Sequence, residues 1–225
     1  MQRSMRIIAF GIVAGLATTL AACSESSGSG SSSGGGSAAS AGDIKIGVVL
    51  DITGAGASLG VPERQTIEML AEQVNAAGGV NGRKVKLYIE DNQSTEDGAA
   101  KATSKLLNTE KVDVIIGASR TGPSLAMRPL AEKAEKPMVS LAANQKIVDG
   151  SKWVFKTAQN DRVVLEKMVD DMKAKGLTKV AVARDASGFG EGIPEMLADI
   201  GKAAGITVVK VEKFAPDATD FTSQM

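Results

Sequence analysis

Residues 44–79, IKIGVVLDITGAGASLGVPERQTIEMLAEQVNAAGG, carry the alternation that decides the fold. Ile44 to Leu50 is a short run rich in Ile and Val that reads as a buried strand, too short for a helix of ordinary length. Pro62 to Ala77 then sets Ile67, Leu70, Ala71 and Val74 at helical spacing, and Gly78-Gly79 supplies the stop. A glycine-rich turn, Thr53 to Gly60, joins the two. Together they spell one βα unit.

The rhythm repeats outward from there. Lys84 to Glu90 reads as a strand and Thr95 to Asn108 as a helix; Val112 to Ile116 reads as a strand and Pro123 to Glu135 as a helix, with Thr121 or Gly122 as cap and Pro123 in the first turn. Met138 to Leu141 closes the set as another strand. Strands that are apolar throughout need cover on both faces, and repeated βα units imply a parallel sheet with right-handed crossovers. Residues 142–160 break the pattern into a polar loop holding one short strand, Trp153 to Lys156. The alternation then restarts as a helix from Arg162 to Lys175, a strand from Lys179 to Ala183, a helix from Ile193 to Ala204 and a strand from Ile206 to Val211. The expected architecture is two doubly wound α/β lobes, residues 43–158 and 159–225. The second supplies too few strands for a covered sheet and stops at Phe221-Thr222-Ser223-Gln224-Met225, where a new helix is about to begin, so the chain reads as part of something longer.

Upstream of residue 43 the sequence is of another kind. Arg3 and Arg6 precede an apolar run, Ile7 to Leu20, too short to span a bilayer comfortably, so residues 1–22 read as an export signal. Leu20-Ala21-Ala22-Cys23 resembles the lipobox of bacterial lipoproteins, a resemblance that implies diacylglycerol on the Cys23 thiol and cleavage before it. The alternative is an ordinary secretory signal with an unpaired exported thiol left over. Two or more acyl chains hold a protein stably at a membrane, so Cys23 is expected to be an anchor. The Ser, Gly and Ala residues that follow, to Gly42, read as a flexible tether with a reach on the order of 25 Å.

Composition excludes whole classes. Lys and Arg number 26, Asp and Glu 26, and the lysines and arginines outside the signal number 24, so no basic field exists to hold nucleic acid. Histidine is absent and Cys23 is the one cysteine, which removes Ser-His-Asp and Cys-His catalysis and the commonest zinc ligands. No cofactor or metal is expected. The turn Thr53-Gly54-Ala55-Gly56-Ala57-Ser58-Leu59-Gly60 resembles the cofactor loop of short-chain dehydrogenases. Those enzymes need a tyrosine with a lysine four residues on, whereas the single tyrosine, Tyr88, is followed at that spacing by Asn92. Gly117-Ala118-Ser119-Arg120-Thr121-Gly122 departs at Thr121 from the Gly-x-Ser-x-Gly elbow of hydrolases. At a strand's carboxyl end and a helix start, this loop suits either an anion held by backbone N–H groups or simple capping by Thr121.

Several stretches in order resemble the leucine/isoleucine/valine-binding protein family, the type I periplasmic substrate-binding proteins of branched-chain amino acid ABC transporters. They are Ile44 to Val48, Asn75-Ala76-Ala77-Gly78-Gly79-Val80-Asn81-Gly82, Glu90-Asp91, Ile115-Ile116-Gly117, Val139 to Ala143, Phe155 to Asp161 and Phe189-Gly190-Glu191-Gly192. The resemblance implies a Venus-flytrap protein: two hinged lobes, a small-molecule ligand in the cleft, closure read by a membrane permease, and no catalysis. It places a carboxylate grip at Thr121, Ala142 and Asn144, with Ala143 between them, an ammonium contact at Asp161 and a covering aromatic at Phe189. Leu59 stands at a place that is often aromatic in the family, and Arg120 adds a guanidinium beside the carboxylate position. That side chain either pairs a ligand carboxylate in two parallel hydrogen bonds or is a solvated surface charge. The expected protein captures a carboxylate-bearing ligand, a branched-chain or related amino acid, for an ABC importer, lipid-anchored on the outer face of the cytoplasmic membrane or in the periplasm. A sensor ectodomain of the same fold for amides or aromatic acids is the runner-up, and an exported enzyme a distant third.

Overall fold

A computed structural model describes residues 42–216 and 218–224. The export signal, the Cys23 anchor and all but the last residue of the tether lie outside the described residues. No helix among those described is long and apolar enough to cross a membrane.

Five strands make the first sheet: β1 (Ile44–Leu50), β2 (Val85–Asp91), β3 (Val114–Gly117), β4 (Met138–Ser140) and β5 (Val154–Lys156). All pair in parallel, in the order β2-β1-β3-β4-β5. Helices α1 (Ala57–Ala76), α2 (Glu96–Lys105) and α3 (Thr121–Lys133) make the crossovers. The chain moves from β1 to one side for β2, then back past β1 for β3 and onward. With right-handed crossovers, α1 and the pair α2 and α3 fall on opposite faces. The core between sheet and helices is Val49, Leu106, Ile115, Met127, Met138 and Ile147 with alanines at the helix contacts, each large member fully buried.

The second sheet has two parallel strands, β6 (Lys179–Asp185) and β7 (Thr207–Phe214), with α4 (Asp161–Ala174) and α5 (Ile193–Ala204) around them. Its core is small: Leu165, Val169, Leu197 and Ile206. Its strands are not uniformly buried. β6 alternates exposed and half-buried residues, and Val209 and Val211 of β7 are exposed, so among the described residues one face of this sheet is covered.

Several boundaries differ from expectation for local reasons. α1 begins at Ala57, five residues before Pro62, because Gly54 takes a left-handed turn (φ 82°) and the Gly56 N–H donates to Ser94 Oγ at 2.8 Å. Pro62 therefore sits inside the helix, where its missing N–H removes one bond. α2 is capped by the Thr95 hydroxyl, which accepts from Gly98 N–H, and continues as a π-helical turn over Leu106–Glu110 until Lys111 turns left-handed. Neither Thr121 nor Gly122 caps α3. Arg120 is its N-cap, with extended backbone and no side-chain cap bond, and Thr121 is the first helical residue. The chain's last described segment, Thr222–Gln224, is a single 3-10 turn.

Where α1 leaves β1 the two run nearly in contact. A Cβ added to buried Gly60 meets the Asp51 carbonyl oxygen at 2.3 Å. Replacing glycine by alanine in a helix gains about 1 kcal/mol, whereas forcing atoms into a packed site loses about 1–3 kcal/mol or more. Gly60→Ala is therefore expected to lower the thermal unfolding midpoint by circular dichroism, and a raised midpoint would show that α1 does not pack this closely on β1.

Candidate functional site

In an open parallel sheet, two adjacent strands whose crossovers leave to opposite faces part at their carboxyl ends and leave a crevice there. Here that point lies between β1 and β3. A cavity of about 810 Å³ opens at it, within the size range of small-ligand sites. Its walls come from the segments following four strands of the first sheet: Ala55, Leu59 and Glu63 after β1, Ser94 and Glu96 after β2, Ser119 to Pro123 and Leu125 after β3, and Leu141 to Ala143 after β4. Asp185 to Phe189 and Glu191, following β6 of the second sheet, complete it with Pro216.

The floor is an ion pair. Asp51 is fully buried at the end of β1, and Arg120 Nε donates to its Oδ2 at 2.5 Å. Asn92 Nδ2 donates to the other oxygen at 2.7 Å, and the Asp51 backbone N–H donates to Ser119 Oγ at 3.2 Å. Arg120 also donates through a terminal nitrogen to the Ser94 carbonyl at 2.6 Å. The expectation of a solvated surface charge at Arg120 is thereby corrected. Its charge is already met by an aspartate of this chain, while the guanidinium still borders the cavity.

Thr121 is 3% exposed and opens α3 against the cavity. The N–H groups of Thr121 and Gly122 fall in the first turn and have no intrahelical partner, so donors are present where an anion fits. A carboxylate of the chain stands close by: a Cβ on Gly122 would lie 2.5 Å from Glu96 Oε1. The expected backbone grip after β4 is only partly available, since Ala142 N–H already donates to Ser140 Oγ at 3.1 Å and the Ala143 carbonyl accepts from Lys156 Nζ at 2.6 Å.

Of the residues singled out in the sequence, Leu59, Arg120, Thr121, Ala142, Ala143 and Phe189 line the cavity. Asn144 and Asp161 do not. Asn144 is 4% exposed and its amide is spent elsewhere: Nδ2 donates to the Gly188 carbonyl at 2.7 Å, reaches the Glu191 carbonyl at 3.4 Å, and Oδ1 accepts from Lys146 N–H at 2.9 Å. It is a strut between the segments after β4 and β6. Asp161 begins α4 and its Oδ2 accepts from Gln145 N–H at 3.3 Å, away from the cavity wall. In this arrangement Asp161 is not among the residues that border the cavity.

Glu63 was not foreseen. It lies four residues after Leu59, hence on the same face of α1, and that spacing was the available signal. Its Oε2 is buried with no hydrogen-bond partner among the described residues. Burial raises the pKa of this carboxyl, the Ser119 hydroxyl opposes the shift, and the negative charge of Asp51 adds to it. Asp91 shows the contrary case: burial pushes it up, but donors from Thr53, Gln93 and Ile52 outweigh this and hold it below the usual value, fixing the turn after β1. Among the described residues, no group of three or more His, Cys, Asp or Glu side chains forms a metal cluster.

Comparison with known proteins gives a consistent set of likenesses. A family profile described as periplasmic binding protein matches residues 43–225. The Leu/Ile/Val-binding protein homolog 3 of Brucella melitensis is 30% identical over 191 residues, covering 80% of this chain and 50% of that protein. Among solved structures, an extracellular ligand-binding receptor from Rhodopseudomonas palustris superposes with a TM-score of 0.72 at 31% identity, over 81% of this chain and 50% of that one. The branched-chain amino acid transporter substrate binding protein LivJ from Streptococcus pneumoniae, in complex with isoleucine, superposes with a TM-score of 0.72 at 27% identity, over 81% and 52%. The chain spans about half the length of the curated relatives it matches.

Removing one member of a buried ion pair is more damaging than never having had it, because the other charge is left unpaired. Arg120→Ala is expected to destabilise the chain by about 3 kcal/mol in urea unfolding at neutral pH, and Asp51→Asn on that background to recover part of the loss; additive losses would mean the two do not interact. Glu63 carries a separate, pH-dependent expectation. A carboxyl with a raised native pKa stabilises below its ordinary value, 4.5, and loses that contribution as pH climbs through the higher native value. Ligand-free Glu63→Gln should thus be more stable than the parent at pH 7, with the difference narrowing towards pH 4. A difference independent of pH counts against a buried, ionised Glu63.

Proposed function

The chain belongs to the periplasmic binding protein family, and from that premise we propose that the whole protein is an extracytoplasmic binding protein that captures a small carboxylate-bearing molecule, a branched-chain or related amino acid, and delivers it to the permease of an ABC importer. It makes and breaks no bonds. Cys23 carries the lipid anchor and residues 24–42 the tether, so the binding body stays near the permease. Residues 43–158 and 159–225 act as the two lobes, and 142–160 as their crossing.

The observation that most supports this reading is the composition of the cavity wall. Segments after β1, β3 and β4 of one sheet and after β6 of the other face the same space. A ligand that touches both lowers the free energy of the closed arrangement relative to the open one, and only that difference can be passed on to a partner. Thr121 and Gly122 N–H groups take the carboxylate at the start of α3, as helix N-termini take anions. Leu59, Leu125 and Phe189, the last about half exposed at the rim, receive the apolar side chain.

Ligand that binds only the folded state stabilises it by about 2.7 kcal/mol at a hundredfold excess over the dissociation constant. Leucine, isoleucine or valine is therefore expected to raise the unfolding temperature, while 3-methylbutylamine, which is leucine without its carboxylate, is not. No shift with any amino or carboxylic acid, in the chain or in a form extended to the length of its relatives, would sink the reading.

A further inference from the structure

The cavity is more negative than a pocket for a simple carboxylate should be. Glu63, Glu96, Asp185 and Glu191 border it, against the single guanidinium of Arg120, and that guanidinium already faces buried Asp51. A plain monoanion entering this space gains little from Arg120 and is repelled by the walls. A molecule with its own positive group is attracted by them.

The four carboxylates are not equivalent. Asp185 Oδ1 accepts from the Ser187 N–H at 3.1 Å and the Ser187 hydroxyl at 2.7 Å, so that oxygen serves its own loop. Glu96 and Glu191 are exposed, where water screens them. Glu63 alone joins three properties: it borders the cavity, one of its oxygens is removed from solvent, and that oxygen has no partner within hydrogen-bond geometry among the described residues, the Ser119 hydroxyl being the one neighbouring group that lowers the carboxyl's pKa. A buried acceptor without a donor is unfavourable, and an arriving N–H relieves it. The nearest basic side chain on α1, Arg64, lies 3.9 Å from Glu68 instead. Arg120 is held by Asp51 and the Ser94 carbonyl.

We infer that Glu63 is the acceptor for a protonated amine on the ligand, and that through it the site selects zwitterionic amino acids over carboxylic acids of the same shape. This rests on the function proposed above. It adds the second half of the recognition: N–H donors at the start of α3 read the carboxylate, while an acceptor one turn past Leu59 on α1 reads the ammonium. Both groups belong to the first sheet's side of the cavity, so the polar head is oriented there and the apolar tail is directed towards Phe189. An ammonium also adds a donor at Glu63 and offsets its repulsion from Asp51.

The test pairs leucine, isoleucine and valine with the acids that lack the amine, 4-methylpentanoate, 3-methylpentanoate and 3-methylbutanoate, and measures binding by calorimetry to the chain and to Glu63→Gln. A charge-assisted hydrogen bond in a partly desolvated site supports an expected loss of about 10- to 100-fold for the amino acids in Glu63→Gln, with the amine-free acids unchanged. Glu63→Asp, which keeps the charge on a shorter stem, should fall between, and circular dichroism checks that both variants are folded. If Glu63→Gln binds the amino acids as tightly as the parent, the inference fails and the proposed function stands. If the variant loses both classes equally, Glu63 shapes the pocket without reading the amine, and the inference also fails. If the parent binds neither class, both readings fall together.

Discussion

Everything at the site is organised by one buried charge. Asp51 closes β1 at the point where strand order reverses, and a fully buried carboxylate is tolerable only with partners around it. Its partners come from different segments: Asn92 after β2, Ser119 and Arg120 after β3. Because Arg120 also reaches the Ser94 carbonyl, and Ser94 takes the Gly56 N–H while donating to the Thr53 carbonyl, the turns after β1, β2 and β3 are joined in one hydrogen-bonded network. The crevice of the switch point is thus given a rigid polar floor. Gly56 and Gly60 let α1 start against this floor, since a Cβ at either meets Asp51 atoms within 2.3 Å.

The fold was legible because each βα unit is written locally. The Ile44 to Leu50 strand appears in the structure with the bounds read from its composition, and Thr95 caps α2 where a threonine before an acidic first turn implies a helix start. What misled was punctuation whose meaning depends on distant atoms. Pro62 looks like a first-turn proline, but the helix starts earlier because Ser94, thirty-eight residues on, accepts the Gly56 N–H. The valines of the second sheet do not by themselves say how it is covered, since whether a strand face is covered is set by what packs on it, and β6 and β7 have cover on one side among the described residues.

The site was legible to the extent that chain position determines it. Leu59, Thr121, Ala142 and Phe189 follow strands, and residues after the carboxyl ends of parallel strands meet at a switch point whatever their identity. Side-chain commitments could not be read the same way. Arg120 looks like a cation on offer until Asp51, sixty-nine residues earlier, is found within 2.5 Å of it. Asn144 stands one residue beyond the wall and turns its amide to the Gly188 and Glu191 carbonyls instead. Nothing in the local sequence distinguishes an asparagine that reads a ligand from one that ties two segments.

That strut bears on how closure is balanced. Asn144 Nδ2 bonds across to the segment after β6, so part of the contact between the two sides of the cavity is made by the protein itself. Such a bond contributes about 0.5–1.5 kcal/mol net, too little to hold two lobes shut alone. Opposing it, Glu63, Glu96, Asp185 and Glu191 bring like charges to one space, and like charges favour separation. In the hinged protein proposed above, a small attractive tie set against distributed repulsion would bring the open and closed arrangements closer in free energy. In that balance, a ligand with a single positive group, which removes repulsion while adding contacts on both walls, shifts the equilibrium further than its own hydrogen bonds would imply.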